Sequence, residues 1–162
     1  MITPQQLIDG FGLNLRLILM QTDGLSHADC LIQTDFNINS MNWVLGHLAV
    51  NRDNVLSLLG QTQLLSEARS ERYRRGSEPV EQDGEDVIPL EELLEILQLG
   101  QELLSNAISR MTPEDLEHEI QVGEQTQTLA QRLFGFYFHD TYHTGQTDLL
   151  RQVAGKADQV IR

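Results

Sequence analysis

The sequence predicts an all-α protein, a four-helix bundle with a long crossover between its second and third helices. Four long stretches repeat apolar residues at the three- and four-residue spacings of an amphipathic helix, and none shows the sustained alternation of a strand. The connection between the second and third stretches, residues 61–88, is the longest and is poor in apolar residues. We therefore expect one domain over residues 1–162, with sites built from side chains on facing helices.

The first helix is predicted from its start signal. Thr3-Pro4-Gln5-Gln6 places a threonine at the cap, proline at the first helical position and glutamine three residues after the cap. The helix should end near Gln21, and its inward residues should be Leu7, Phe11, Asn14 and Ile18. The polar stretch from Thr22 to Asn39 indicates a connection with room for a short helix around residues 27–31.

A second helix is bounded by Ser40, a capping residue, and by Gly60, a residue type that commonly ends helices. It should run from Met41 to about Leu59. The crossover that follows is rich in Glu, Arg, Gly, Ser and Asp. Its arginines have two interpretations, a solvated loop or helix end, or a lid that binds an anionic substrate; they are Arg69, Arg72, Arg74 and Arg75.

The third helix opens at Pro89 and has the clearest amphipathic pattern of the chain. Its apolar residues recur at spacings of three, four and seven: Leu90, Leu93, Leu94, Leu97, Leu104, Ile108 and Met111. A polar linker is expected after Thr112-Pro113-Glu114-Asp115 and through Gly123. The fourth helix should then extend from about Thr126 to Val153, closed by Gly155.

Composition and charge exclude several classes of function. Eleven Lys and Arg residues against 24 Asp and Glu residues give a formal net charge of −13, which repels a phosphate backbone, so we expect no nucleic-acid partner. No apolar run approaches the ~20 residues of a membrane span, and no signal peptide is visible, so we expect no membrane partner and a cytoplasmic location. The single cysteine, Cys30, is expected to be a small buried apolar residue.

Two histidines one helical turn apart, His139 and His143, are the most informative feature of the chain. Residues at i and i+4 share a helix face, so both imidazoles can bind one metal ion. Their face also carries Leu129, Leu133, Phe136 and Leu150 within an arc of about 120°, which turns both histidines toward the core. Taken alone, the pair is also compatible with ordinary surface or core residues.

A third histidine, His47, lies in the second helix on a mostly apolar face that also carries Asn51 and Asn54. Alone it is compatible with a hydrogen-bonded core histidine. Three imidazoles from two facing helices would hold a divalent transition metal and leave coordination positions open, as catalytic sites do. The two remaining histidines, His27 and His118, lie in polar connections and are expected to be exposed.

These residues occur in two motifs, Asn42-Trp43-Val44-Leu45-Gly46-His47-Leu48 and His139-Asp140-Thr141-Tyr142-His143-Thr144-Gly145-Gln146. Their order and spacing resemble the DinB-like (DinB/YfiT) superfamily of metal-binding four-helix proteins, whose members carry Trp-x-x-Gly-His on the second helix and His-x-x-x-His-x-Gly-Gln on the fourth. Arg75-Gly76-Ser77 before Pro79 is weakly similar to a loop of many members. The resemblance implies that His47, His139 and His143 are ligands of nickel or zinc, with waters completing the shell.

The chain departs from the family pattern after the first histidine of the pair, where members commonly have Glu and this sequence has Asp140. His-Asp-x-x-His is similar to the metalloprotease motif His-Glu-x-x-His, in which Glu is the general base. Aspartate is one methylene shorter, which disfavours a protease. Asp140 is therefore a candidate for a weak catalytic base or for a residue that supports the ligands.

Three functions remain open from the sequence. The first is a metal-dependent enzyme acting on a small-molecule thiol, since the superfamily includes low-molecular-weight thiol-dependent transferases and a maleylpyruvate isomerase. The second is metal-assisted hydrolysis. The third is a non-catalytic binding or stress-response protein. An open polar cavity above the metal, lined from the loop of Arg72 to Ser77, would favour an enzyme, and a closed apolar cap would favour a structural role.

A second apolar stripe on the fourth helix predicts self-association. Phe134, Phe138, Tyr142 and Leu149 lie within about 80° of one another, almost opposite the histidines. Two interpretations are open: the linker or crossover folds over the stripe, or a symmetric homodimer buries it.

Overall fold

The structure is a computed structural model that describes residues 2–34, 38–158 and 160. Residues 35–37, part of the predicted connection from Thr22 to Asn39, lie outside this range. The elements in chain order are α1 (Pro4–Thr22), α2 (His27–Cys30), α3 (Met41–Leu58), α4 (Glu67–Arg72), α5 (Leu90–Ile108), α6 (Pro113–Leu116), β1 (Glu119–Val122), β2 (Gln125–Thr128) and α7 (Leu129–Val153). The predicted helical bundle is confirmed.

Four long helices form the bundle. Helix α1 packs against α5 and α7, and α3 packs against the same two helices. The predicted caps explain where these helices begin: the Thr3 hydroxyl accepts from the Gln6 backbone N–H, and Ser40 accepts from that of Trp43. Each helix therefore contributes one face to a shared core.

The core has two parts along the bundle, separated by a polar layer. One cluster includes Trp43, Tyr73 and Leu97, and the other includes Phe11, Leu104 and Leu133. Arg52, Gln101 and Asp140 lie between the two sets on α3, α5 and α7, and Arg52 contacts the other two. Arg52 donates 2.7 Å to the Asp140 carboxylate and also donates to the Gln101 side-chain oxygen. A buried charge needs such partners, since an unpaired one is strongly destabilising.

The linker before the last helix differs from the prediction. Residues 119–128 form an antiparallel hairpin whose register pairs Glu119 with Thr128 and Val122 with Gln125. Only Ile120 and Val122 are apolar here, too short an alternation to predict a strand. Helix α7 therefore begins at Leu129 and not near Thr126, with Thr128 as its capping residue.

The crossover also contains a helix that the sequence did not indicate. Ser66 caps the short α4, whose Arg69 forms an ion pair of 2.7 Å with Glu92 of α5. Within the described part of the chain, no helix is long and apolar enough to cross a membrane.

Candidate metal centre

The three histidines that the sequence singled out lie together between α3 and α7. His47, His139 and His143 each offer a ring nitrogen, and these nitrogens lie within 4.8 Å of one another. The Nε2 atoms of His47 and His139 are 3.2 Å apart. His47 is buried, whereas His139 and His143 are half-buried at the edge of the core. The predicted pair therefore lies at the boundary of the core.

Two of the imidazoles are held in a defined orientation through their Nδ1 atoms. His47 Nδ1 lies 2.8 Å from the Tyr73 carbonyl oxygen, and His143 Nδ1 lies 2.7 Å from Gln146 Oε1. Since both partners are oxygen acceptors, each Nδ1 carries the proton and each Nε2 keeps its lone pair. Histidines that bind metals in proteins are commonly anchored in this way.

His139 completes the cluster without such an anchor. Its Nδ1 is buried and has no hydrogen-bond partner among the described residues. Burying an unpaired polar atom is unfavourable unless another interaction of the ring offsets it. A ligand bound through Nε2 would be such an interaction, and three neutral imidazoles are a suitable donor set for a divalent transition metal.

Burial keeps the cluster neutral. The pKa of His139 is lowered from 6.5 to about 4, chiefly by desolvation and to a lesser extent by the neighbouring His143 and His47. Burial also lowers the pKa of His47, reinforced by His143 and Arg75 and opposed by the bond to Tyr73. The pKa of His143 is lowered by burial as well, against the Gln146 hydrogen bond and the Asp140 charge. Neutral imidazole is the form that binds metal.

The residues before His47 connect α3 to the crossover. The Trp43 ring stacks on His47 with centroids 4.7 Å apart, and its Nε1–H donates to Ser77 Oγ at 2.9 Å. The Tyr73 hydroxyl donates to Asn42 at 3.0 Å and accepts the Ile88 backbone N–H at 2.8 Å.

Tyr73 also contacts α3 through its ring. The ring lies directly against Gly46, where any side chain would overlap it. Tyr73 therefore supports His47 from the crossover. Sequence reasoning missed this role because Tyr73 lies in a polar segment far from the motif.

Asp140 has no access to the cavity. Its side chain is fully buried and forms an ion pair with Arg52, whose exposed fraction is 1%. The Asn51 amide lies 3.5 Å from the same carboxylate and donates 3.3 Å to the Phe136 carbonyl. This geometry makes Asp140 a residue that positions α7 against α3, and its predicted support of the ligands stays a prediction. Its catalytic role stays a prediction.

Two cavities reach the cluster, the larger with a mainly polar lining and the other with a mainly apolar one. One has a volume of about 390 Å³ and is lined by His47 and by polar residues of α3 and the crossover, including Asn54, Gln63 and Arg75. The other, of about 340 Å³, is lined by His47, His139 and Arg132 among others. Asn54 and Arg132 carried no motif in the sequence. An open polar cavity is the feature that favours an enzyme over a structural role. The larger cavity, lined by Arg75, has this character.

The arginines of the crossover divide into two groups. Arg69 and Arg72 form ion pairs with Glu92 and Asp86, and Arg74 pairs with Glu67 and Glu71. Arg75 lines the larger cavity and forms no ion pair with any described residue. Of the four, Arg75 is therefore the one whose charge is available at the site.

The other candidate residues lie outside the cluster. Cys30 is fully buried, and burial raises the pKa of its thiol to about 12, as expected of an unreactive apolar residue. His118 is exposed as predicted. The expectation for His27 was wrong: it is half-buried, because its Nδ1 accepts the Leu90 backbone N–H at 3.2 Å at the start of α5.

Comparisons with known proteins identify a family but no activity. The family described as "Protein of unknown function (DUF1572)" matches residues 8–160. A solved structure described as the "conserved protein of locus from Enterococcus faecalis" is similar with a TM-score of 0.74 and 18% identity, over 95% of this chain and 98% of that one. At this identity the likeness shows the fold. No curated protein matches the sequence.

Proposed function

The chain belongs to the DUF1572 family of proteins of unknown function, and we propose that it binds one divalent transition-metal ion through His47, His139 and His143. The observation that carries the proposal is the convergence of three imidazoles from two helices, two of them oriented by hydrogen bonds from Nδ1 to oxygen. Zinc and nickel are the proposed metals, because both accept imidazole ligands and the affinity order does not decide between them.

We further propose that the chain is related to the DinB-like superfamily that its motifs resemble. The support for this relationship is the placement of the two motifs, with Trp43, Gly46 and His47 on α3 and the histidine pair with Gln146 on α7. The long connection between α3 and α5 corresponds to the crossover of the expected four-helix topology. We also propose that residues 1–162 form a single domain and that the protein is cytoplasmic.

We propose that the site acts on a small thiol that carries an anionic group, as a metal-dependent thiol transferase. A bound divalent ion would lower the pKa of a thiol so that it is present as the thiolate nucleophile. Arg75 lines the larger cavity and is close enough to His47 to lower its pKa. Arg132 lines the second cavity and stacks on Phe136 at 4.2 Å. These two guanidinium groups would bind the anionic part of the substrate.

Two other functions have less support from the site. A hydrolase resembling the metalloproteases would need an accessible carboxylate base, and Asp140 is buried in an ion pair with Arg52. A non-catalytic protein would need no cavity at the histidine cluster, whereas an open, mainly polar cavity reaches His47.

Metal content tests the first part of the proposal. We expect the purified protein, loaded with Zn²⁺ or Ni²⁺ and desalted, to hold one ion per chain by mass spectrometry. Ala in place of His47, His139 or His143 should abolish binding, and the exposed His118→Ala should retain it. Equal metal content in His139→Ala and in the parent protein would overturn the assignment.

Thiol consumption tests the second part. The loaded protein should conjugate mercaptosuccinate, a dianionic thiol, to monobromobimane faster than it conjugates the neutral 2-mercaptoethanol. Arg75→Gln should raise KM for mercaptosuccinate while metal content stays unchanged, and Arg74→Gln, whose charge is already paired, should have little effect. Absence of any metal-dependent rate with either thiol would reject the transferase and leave the metal site as a separate result.

A further inference from the structure

The side of the bundle formed by α1 and α7 carries most of the large hydrophobic side chains that are exposed in the described chain. Eight large hydrophobic side chains are exposed among the described residues, and six lie on these two helices. We call the six the α1/α7 face: Leu13, Met20, Phe134, Phe138, Tyr142 and Leu149. Phe138 is 64% exposed and Tyr142 is 61% exposed, so neither the linker nor the crossover covers the stripe.

Helices α1 and α7 run parallel, as two cross-helix hydrogen bonds show. The Asn14 amide donates 2.9 Å to Thr141 Oγ1, and the Gln21 amide donates 3.1 Å to Asp148 Oδ1. Both partners advance by seven residues, which is two helical turns, so the same sides of the helices stay in contact.

This arrangement brings the exposed residues of the two helices onto one surface. Leu13 and Met20 each precede a contact residue of α1, whereas Tyr142 and Leu149 each follow a contact residue of α7. Successive residues of a helix are rotated by 100° about its axis. In two parallel helices, the residue before a contact residue on one helix and the residue after a contact residue on the other therefore point to the same side of the pair. Leu15 and Asp140, which turn the other way, are buried. The α1/α7 face is therefore continuous and points away from the core.

The composition of the α1/α7 face is that of an interface centre. The four side chains of its α7 portion are uncharged, although Asp148 lies beside Leu149, and the same stretch includes Gly145, around which a Cβ would find open space, so another helix can approach closely. Asp9 and Arg16 of α1 lie at its edge. An apolar centre with aromatic residues and a charged rim is typical of protein–protein interfaces.

We propose that the α1/α7 face is the interface of a symmetric homodimer, with a second copy of this chain as its occupant. The exposed fractions of the six side chains amount to roughly 600 Å² per copy if a fully exposed large side chain has about 200 Å². Monomers rarely expose a contiguous apolar patch larger than this. Two copies would bury about 1,200 Å² from these side chains alone, which reaches the range of specific interfaces. Twofold symmetry buries the same face on both copies.

Sedimentation velocity of the full chain at micromolar concentration tests the dimer, with chelator present so that metal plays no part. We expect the parent protein at twice its 18.4 kDa chain mass. Phe138→Glu should sediment as a monomer, since it places two charges at the centre of the interface. The matched control is Leu99→Glu, which changes an exposed leucine of α5 outside the α1/α7 face and should stay dimeric.

A second variant and a folding measurement keep the result interpretable. Leu149→Glu should also be monomeric, and far-ultraviolet circular dichroism of all variants should match that of the parent, because the altered side chains are exposed. A monomeric parent protein would overturn the proposal, as would dimers of both Phe138→Glu and Leu149→Glu.

Discussion

The protonation state of three side chains links the fold to its chemistry. His47, His139 and His143 have lowered pKa values chiefly because they are buried. A lone buried imidazole can be neutral for the same reason, so the low pKa values alone do not indicate a metal site. The additional information is the convergence of the three rings within 4.8 Å. Neutrality then lets the cluster accept a cation without first releasing protons at pH 7.

The same pKa values predict how pH acts on the metal-free protein. Unfolded histidine has a pKa near 6.5, above the folded values, so on acidification the unfolded chain binds protons that the folded chain does not. The stability present above about pH 6.5 should therefore be lost as pH falls toward the folded pKa, about 4 for His139. Urea titrations with chelator at pH 7 and pH 5 measure the loss.

The variant His139→Gln isolates the histidine contribution. It removes a titrating group, so the free energy of unfolding should decrease less between pH 7 and pH 5 than in the parent protein, whereas the exposed His118→Gln should behave as the parent. Carboxylates with a lowered pKa, such as Glu92, also make stability depend on pH. Their contribution is lost at more acidic pH than that of the histidines, because their pKa in the unfolded chain lies near 4. An identical pH dependence in His139→Gln and the parent would contradict this account.

At the scale of elements, the crossover supports the site through Tyr73. Its carbonyl oxygen orients His47, its hydroxyl bridges Asn42 and the Ile88 backbone, and its ring packs against Gly46. A segment that is polar in sequence thus contributes a buried residue to the core of the bundle. This contact explains why a glycine precedes His47 in the middle of a helix, where glycine itself is unfavourable.

Gly46→Ala should weaken both stability and metal binding. The added methyl overlaps the Tyr73 ring, which is buried and cannot move without breaking its hydrogen bonds. We expect a loss of about 1–3 kcal/mol, the usual cost of overpacking, with reduced Zn²⁺ affinity by competition with a chelating dye. Gly12→Ala on α1 is the control, because its Cβ would make ordinary contacts and a helical alanine is favourable. Equal stability of the two variants would show that the Tyr73 ring can move away from the added methyl at little cost.

The sequence was sufficient for the four long helices and for the histidine pair because both depend on local spacing. The caps Thr3 and Ser40 and the i, i+4 pair of His139 and His143 act within one or two turns. The bonds of Tyr73 to Asn42 and His47 span 31 and 26 residues, and no local pattern encodes them. The start of α7 was misplaced because Thr126 pairs across the hairpin with Gln121. The Tyr73 bonds and the hairpin pairing both join separate segments of the chain, which the spacing within one helix does not reveal.

At the scale of the whole molecule, charge limits the partners. The net charge of −13 opposes approach to a polyanion, and three of the four crossover arginines already pair with carboxylates. We therefore predict no binding of duplex or single-stranded DNA at physiological salt, measured by fluorescence anisotropy at micromolar protein. Tight binding that weakens steeply with added salt would show that local basic surface outweighs the net charge.

Metal binding should also stabilise the whole fold, because its ligands come from two helices that separate on unfolding. His47 lies on α3, and His139 and His143 lie on α7. A ligand that binds only the folded state at 1,000 times its Kd adds about 4 kcal/mol. For a chain of this size each kcal/mol raises Tm by about 2–4 °C. We thus expect Zn²⁺ or Ni²⁺ to raise Tm by roughly 8–16 °C over protein in chelator.

The specificity of that shift separates a built site from general ion effects. Mg²⁺ prefers oxygen ligands and should leave Tm unchanged. His143→Ala leaves two imidazoles and should lose most of the Zn²⁺ shift, whereas His118→Ala, an exposed histidine near the hairpin, should keep it. Calorimetric scans of the three proteins in chelator, Mg²⁺ and Zn²⁺ give the comparison. If Zn²⁺ raised Tm equally in His143→Ala and in the parent, the ion would have to bind elsewhere. An ion held by all three imidazoles binds more weakly when one imidazole is removed.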